Sequence, residues 1–326
     1  MGRITSTAVE LVEGRARTTL GLFTTTVAKS CHVSRQLLAF HSRPGGRWAR
    51  DLPEVYRLTS VPRSVQQRML AALLWAGDNA VLSHRAVAEI LDLDGVRAPK
   101  PELWVPSWQR HRDVVVHKGL VPPGDVTTTG PLRHTTLTRT LLDLGRILED
   151  DPLELVVESV LRKLSRQPNK SQDKAEFEAA LYSGRAGSVA LRRVLDRRPP
   201  GAPPTESELE TRYLQLIRTA DVPPPVRQHE VRTEDGICLA RLDVCWPEAE
   251  LWVELDGRAT HTQPRALLAD RHRQNETVTR LHWHPLHFTW DDVVEYPKKT
   301  VQVTEDAYRA GTAGAAYHAR TKAQAG

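Results

Sequence analysis

The sequence predicts a multidomain α/β protein. Three observations carry that expectation. At 326 residues the chain exceeds what one hydrophobic core usually spans, so two or three domains are expected. Apolar residues recur at helical spacing in some stretches and alternate at strand spacing in others, throughout the chain. The run Arg197-Arg198-Pro199-Pro200-Gly201-Ala202-Pro203-Pro204 breaks both patterns, because prolines stiffen the backbone and cannot donate to regular structure. Residues 197–204 therefore read as the linker before the last domain. Composition adds exclusions. With 40% hydrophobic and 26% charged residues the chain has an ordinary globular balance. Its apolar runs, such as Met69–Ala76, fall well short of the roughly 20 residues that cross a bilayer. The N-terminus has charges but no apolar stretch of a secretory signal. A cytoplasmic protein with no membrane partner is expected. Cys31, Cys238 and Cys245 show neither paired nor zinc-type spacing. The net charge of +5 is compatible with a nucleic-acid partner without requiring one.

Residues 1–60 form the first expected domain. Up to position 50 the cations Arg3, Arg15, Arg17, Lys29, Arg35, Arg43, Arg47 and Arg50 are opposed only by Glu10 and Glu13. Thr24–Ser30 reads as a short helix and Cys31-His32-Val33 as a tight turn. Ser34 then caps a second helix through His41, its hydroxyl suited to the free amides of a first turn. Pro44-Gly45-Gly46 ends that helix, and Arg47–Arg50 and Val55–Leu58 read as two strands. Helix, turn, helix and a two-stranded wing make a winged helix-turn-helix. In that arrangement the second helix enters the major groove and basic wing residues touch phosphate. Arg35, Gln36, Arg43, Arg47 and Arg50 are the candidate DNA contacts. The alternative is a small helical bundle whose arginines are merely solvated.

Residues 61–196 form a mixed α/β middle. Val65, Met69, Leu73 and Leu74 recur at helical spacing, and a second helix follows at Ala86–Leu91. Leu103–Val105 and Val114–His117 read as strands. Thr138–Leu148 and Leu153–Leu164 read as helices, 163–176 as a polar loop, and Val189–Asp196 as a short helix. His84, His111, His117 and His134 lack i, i+4 spacing with a carboxylate, so surface or core histidines are expected rather than metal ligands. Arg139 and Asp143 form an i, i+4 pair with a structural role. The stretch from Gly21 to Leu58 resembles the N-terminal domain of AbiEi-type antitoxins, which are winged-helix DNA-binding regulators. Leu82–Ala88 and Thr135–Asp143 resemble later strings of the same proteins. The resemblance implies DNA and a cognate toxin or defence component as partners.

After the linker, Thr205 is expected to cap a helix bearing Glu206, Glu208 and Glu210, with Leu209, Tyr213, Leu216 and Ile217 as its buried stripe. Strands follow near Gln228–Arg232, Cys238–Trp246 and Leu251–Asp256, then a helix over 264–281 and a strand over 282–288. Pro285 places that strand at an edge or bulge. Residues 291–296 and 301–309 add helix, and the small, polar tail 311–326 reads as disordered. The hairpin around Pro247-Glu248-Ala249-Glu250 has a definite register. Matching its apolar faces sets Leu242 across from Leu255, Val244 from Val253 and Trp246 from Leu251. The same register sets Asp243 opposite Glu254. Opposed β-carbons stand about 4.5–5.5 Å apart. Two carboxylates at that range repel unless a divalent cation with oxygen ligands lies between them.

At these residues the chain resembles the PD-(D/E)XK nucleases, whose metal centre is a strand with Asp, a turn and a strand with Glu-x-Lys. Here the third position is Asp256. Glu254-Leu255-Asp256-Gly257 followed by His261 is similar to the branch of the very-short-patch repair endonucleases. The resemblance covers about the last third of the chain, residues 205–310, and implies a restriction-endonuclease-like αβββαβ domain. It implies Mg²⁺ or Mn²⁺ as cofactor, held by Asp243, Glu254 and the carbonyl of Leu255. Asp256 is then a ligand or water-orienting group, and His261 an acid or base near neutral pH. Glu210 matches an acidic residue that relatives place beside the metal, with Glu208 as its rival. Arg271 and Arg273, with Asp270, would touch phosphate or brace the site. The chain departs from relatives at His282 and His287, where Gly and Arg are common. Two functions follow. The first is a metal-dependent DNA endonuclease of defence or repair. The second is a non-enzymatic regulator of the antitoxin type on a retained nuclease fold.

Overall fold

A computed structural model of the chain describes residues 2–166, 171–182, 184–232, 236, 238–256 and 283–325. It mixes helices with antiparallel and mixed sheets, as a multidomain α/β protein. The chain divides into two compact units, Met1–Val156 with Ser171–Arg193, and Val157–Lys170 with Val194–Gly326.

The first unit opens with α1 (Gly2–Arg17) and β1 (Leu22–Thr24), which the periodicity reading did not find. Ala8, Val9, Val12 and Ala16 of α1 are buried against Phe23, Ala28, Cys31, Val33, Trp48 and Leu58. Then come α2 (Thr25–Ser30) and α3 (Arg35–His41). The turn between them is allowed by His32 at φ 61°. The Ser34 hydroxyl accepts the Leu37 amide at 3.1 Å and so satisfies one orphan donor of α3. β2 (Trp48–Leu52) and β3 (Val55–Leu58) pair antiparallel, and β1 adds to β3, in the order β1-β3-β2.

The rest of this unit surrounds a five-stranded sheet of order β6-β5-β4-β8-β7. Its strands are β4 (Val81–Leu82), β5 (Glu102–Val105), β6 (Val115–Lys118), β7 (Val126–Thr129) and β8 (Leu132–Thr135). Around it lie α4 (Val65–Ala76), α5 (His84–Ile90), α6 (Leu137–Leu144), α8 (Ser171–Leu181) and α9 (Ser188–Leu195). The unit boundary falls inside α7 (Asp150–Ser165). The expected loop over 163–176 is shorter than its polarity suggests, because α7 runs to Ser165 and α8 begins at Ser171. Gln, Lys, Ala and Glu are good helix formers, so polarity alone does not separate a loop from a solvated helix.

The second unit holds α10 (Glu208–Ile217) and a sheet of order β12-β11-β10-β9. Its strands are β9 (Val226–Arg232), β10 (Cys238–Trp246), β11 (Leu251–Asp256) and β12 (His284–Thr289). β9, β10 and β11 are antiparallel, and β12 runs parallel to β11. Pro285 lies in β12, which among the described residues pairs with β11 alone, so its missing amide breaks no ladder toward a further described strand. The helix expected over 264–281 lies outside the described residues. α10 is capped by Ser207, not Thr205: the Ser207 hydroxyl accepts the Glu210 amide at 3.1 Å, while the Thr205 and Thr211 hydroxyls share a hydrogen bond of 2.7 Å. α11 (Trp290–Val294) and α12 (Pro297–Ala325) complete the unit.

The expected disordered tail is a correction. α12 continues through Ala325, and Gly311, the first residue of that tail, lies so close to the Ala249 carbonyl in the β10–β11 turn that a Cβ would collide with it. Seven alanines follow Tyr308, and alanine is the best helix former. Small side chains suit a disordered tail, but here they serve helix propensity and close approach.

Candidate functional site

The β10–β11 hairpin keeps the expected register where it is paired. Val244 faces Val253, Cys245 faces Trp252 and Trp246 faces Leu251. The ladder stops one pair short of Asp243 and Glu254. There the side chain intervenes, and Asp243 Oδ2 accepts the Leu255 amide at 3.3 Å. Leu242 is also displaced from expectation, joining a small buried cluster with Val231, Cys245 and Trp252.

Three elements bring acidic groups to this end of the sheet. α10 buries Glu210, which is 1% exposed. Its Oε2 accepts the Glu206 amide at 2.6 Å and its Oε1 accepts Gln228 Nε2 at 3.0 Å. Burial pushes the Glu210 carboxyl up to about 7, and the nearby Asp243 charge adds to the rise. Asp243 is itself raised, chiefly by burial, with Glu206 and Asp256 adding and the Leu255 amide and Arg241 opposing. Arg241 forms an ion pair with Glu206. Glu254 stands half-buried, with His287 Nδ1 3.7 Å from its Oε2. Asp256 is exposed at the strand end. Glu208 is held by Arg212 one turn along the helix, at 2.7 Å. His261, Asp270, Arg271 and Arg273 lie outside the described residues.

Gln228 belongs to this site and was missed. The β9–β10 register pairs Leu242 with His229 and Val244 with Arg227, so Gln228 falls across from Asp243. It adopts φ 52°, a conformation uncommon outside glycine, asparagine and aspartate, and its Oε1 is buried with no hydrogen-bond partner among the described residues. Local strain of this kind collects where a site needs a side chain aimed. The available signal was a polar residue in the strand next to the one carrying Asp243.

The expected DNA contacts divide. Arg35 and Gln36 are exposed on α3, and Arg50 is exposed on β2. The Arg43 guanidinium lies 4.1 Å over the ring of Phe40, itself 53% exposed. Arg47 is different: its Nη2 donates to Glu13 Oε2 at 2.7 Å, so its charge already has a partner.

A second cluster corrects the sequence reading of the histidines. His84, Glu102 and His117 offer donor atoms that all lie within 4.8 Å of one another, and they are the one such group of three among the described residues. The helical i, i+4 test could not find them, because the sheet brings them together. His84 follows β4, Glu102 opens β5 and His117 lies in β6. Parallel pairing sets Trp104 beside His117, and Trp104 shares a strand face with Glu102. The His84 and His117 rings stack with centroids 3.9 Å apart. Burial, then His117, lowers the His84 pKa to about 3. The expected Arg139–Asp143 pair is present at 2.9 Å, and Asp143 also accepts Trp104 Nε1 at 2.8 Å.

The chain matches no protein-family model and no curated protein. No helix among the described residues is long and apolar enough to cross a membrane.

Proposed function

We propose that the protein is a DNA-binding, metal-dependent endonuclease that hydrolyses phosphodiester bonds in phage defence or DNA repair. One observation carries the reading: where the β10–β11 ladder stops, Asp243 accepts the Leu255 amide through its side chain and lies near enough to the buried Glu210 of α10 for the two charges to interact. A buried carboxylate beside a second acidic group is seldom left without a cation. The oxygen-only donors suit Mg²⁺ or Mn²⁺, which take one or two carboxylates and fill the remaining positions with water and phosphate. Asp243, Glu254 and the Leu255 carbonyl would hold that ion, which when bound activates water and neutralises charge on the phosphate. Glu210, near 7, is suited to exchange a proton at its carboxylate. Gln228 orients Glu210 through their 3.0 Å hydrogen bond. α3 and β2 supply the DNA contacts through Arg35, Gln36, Arg43 and Arg50, as the second helix and wing of a winged helix-turn-helix.

His287 favours a second reading. Lying 3.7 Å from Glu254, it gives a ligand carboxylate a partner within the protein. A regulator of the AbiEi antitoxin type, acting with a cognate toxin or defence partner on a retained nuclease fold, would need no metal there. Incubation with supercoiled plasmid separates the two. The endonuclease is expected to nick or linearise it with Mg²⁺ or Mn²⁺. Asp243→Asn is expected to abolish cleavage and leave DNA binding intact. An intact plasmid with wild-type protein and either ion would exclude the enzyme and support the regulator.

A further inference from the structure

We propose that His84, Glu102 and His117 form a binding site for a divalent ion of the zinc class, chemically distinct from the oxygen-donor site on β10 and β11. Two imidazoles and one carboxylate are a recurrent zinc ligand set, and three protein ligands leave a fourth position for water or another ligand. The same set disfavours Mg²⁺, which is hard and prefers oxygen.

His84 and Glu102 have the support that metal ligands usually have. His84 Nδ1 is hydrogen-bonded to Ser83 Oγ at 2.9 Å, which leaves Nε2 for the ion. Glu102 Oε2 accepts the Arg85 amide and Oε1 accepts Arg85 Nη1, both at 3.1 Å, which fixes the carboxylate. His117 Nε2 is buried with no hydrogen-bond partner among the described residues, and stands 3.9 Å from Glu102 Oε2, too far for a hydrogen bond. A buried nitrogen without a partner is costly, and an ion between it and the carboxylate removes that cost. The backbone agrees: His84 is held at φ 50°, an uncommon conformation for a residue with a side chain.

Ligation requires one movement. Stacked rings inclined by 22° do not aim their lone pairs at one point. The His117 ring must therefore turn edge-on toward Glu102. His84 is 1% exposed and fixed by Ser83, whereas the His117 side chain is 25% exposed and has room to turn.

The test is titration of the untagged full chain with Co²⁺, a spectroscopic substitute for Zn²⁺. One equivalent is expected to give visible ligand-field bands that Zn²⁺ abolishes and excess Mg²⁺ leaves unchanged. His117→Gln is expected to weaken Co²⁺ binding at least tenfold. Glu102→Gln should weaken it as well, but that residue also pairs with Arg85, so His117→Gln, at the more exposed position, is the deciding variant. Asp243→Asn is expected to bind Co²⁺ as the wild type does, whether or not the protein cleaves DNA. Absent bands, unchanged affinity in His117→Gln, or loss of the bands in Asp243→Asn would each overturn the assignment.

Discussion

At the scale of single residues, Glu210 couples the site to stability. Its carboxyl is raised from the ordinary 4.5 to about 7 because it is buried. A raised carboxyl binds its proton more tightly in the folded than in the unfolded chain. Its contribution is therefore complete below pH 4.5 and lost as pH rises toward 7. The whole effect amounts to about 3 kcal/mol. In metal-free buffer, urea unfolding of the wild type is expected to show that loss between pH 4.5 and 7. Glu210→Gln should flatten this part of the profile and be the more stable protein at pH 8. A profile that keeps its slope in the variant would assign the titration elsewhere. Alternation alone singles out Asp243 and Glu254, whereas the structure sets the Asp243 side chain on the Leu255 amide. Alternation does not single out Gln228, because its role depends on a neighbouring strand and an unusual φ.

At the scale of elements, α3 and α12 carry opposite lessons. The bounds of α3 were readable because Ser34 announces its cap and Pro44 follows its end. Its chemistry was only partly readable. Arg47 looked equivalent to Arg50, yet Glu13 on the unforeseen α1 neutralises it. DNA affinity is expected to fall steeply with salt. Arg35→Ala and Arg50→Ala should each cost about 1–3 kcal/mol where they read bases, or lower the salt slope by about one where they touch phosphate. Arg47→Ala should change binding less than either, and a larger loss from it would point to release of the Glu13 pair on DNA. The end of α12 is hard to read in the sequence because small residues suit both loops and helices. Gly311 lets α12 approach the Ala249 carbonyl. Gly311→Ala gains intrinsic helix propensity but must push the turn away, at about 1–3 kcal/mol. A lowered melting temperature is the expected outcome. A raised one would mean that propensity outweighs the contact.

At the scale of the molecule, the second unit reaches further back in sequence than the proline-rich run at 197–204. Glu158, in α7, is 1% exposed. Its Oε1 lies 3.0 Å from Arg198 Nη1 and 3.3 Å from Arg227 Nη2, and its Oε2 accepts the Thr205 amide at 3.1 Å. Removing Glu158 strands Arg227, whose side chain is 7% exposed. Breaking such a buried pair costs on the order of 3–5 kcal/mol. A fragment 204–326 is therefore expected to melt well below a fragment 157–326, and Glu158→Ala in the longer one should account for much of the gap. Equal melting temperatures would restore the boundary to the linker.

Local signals were sufficient for the αβββ and final β order of the second unit, the α2–turn–α3 segment and the Val244–Val253 and Trp246–Leu251 pairs of the β10–β11 hairpin. Caps, turns and period-two alternation act between residues close in sequence, so they can be read from a string. Long-range convergence cannot. His84, Glu102 and His117 are separated by 18 and 15 positions, and they meet because β5 pairs with β4 on one side and β6 on the other. The Glu158 network and the partnership of Glu13 with Arg47 have the same origin. A charged or imidazole side chain has no periodicity that names its partner, so burial and sheet order decide which of these groups stand together.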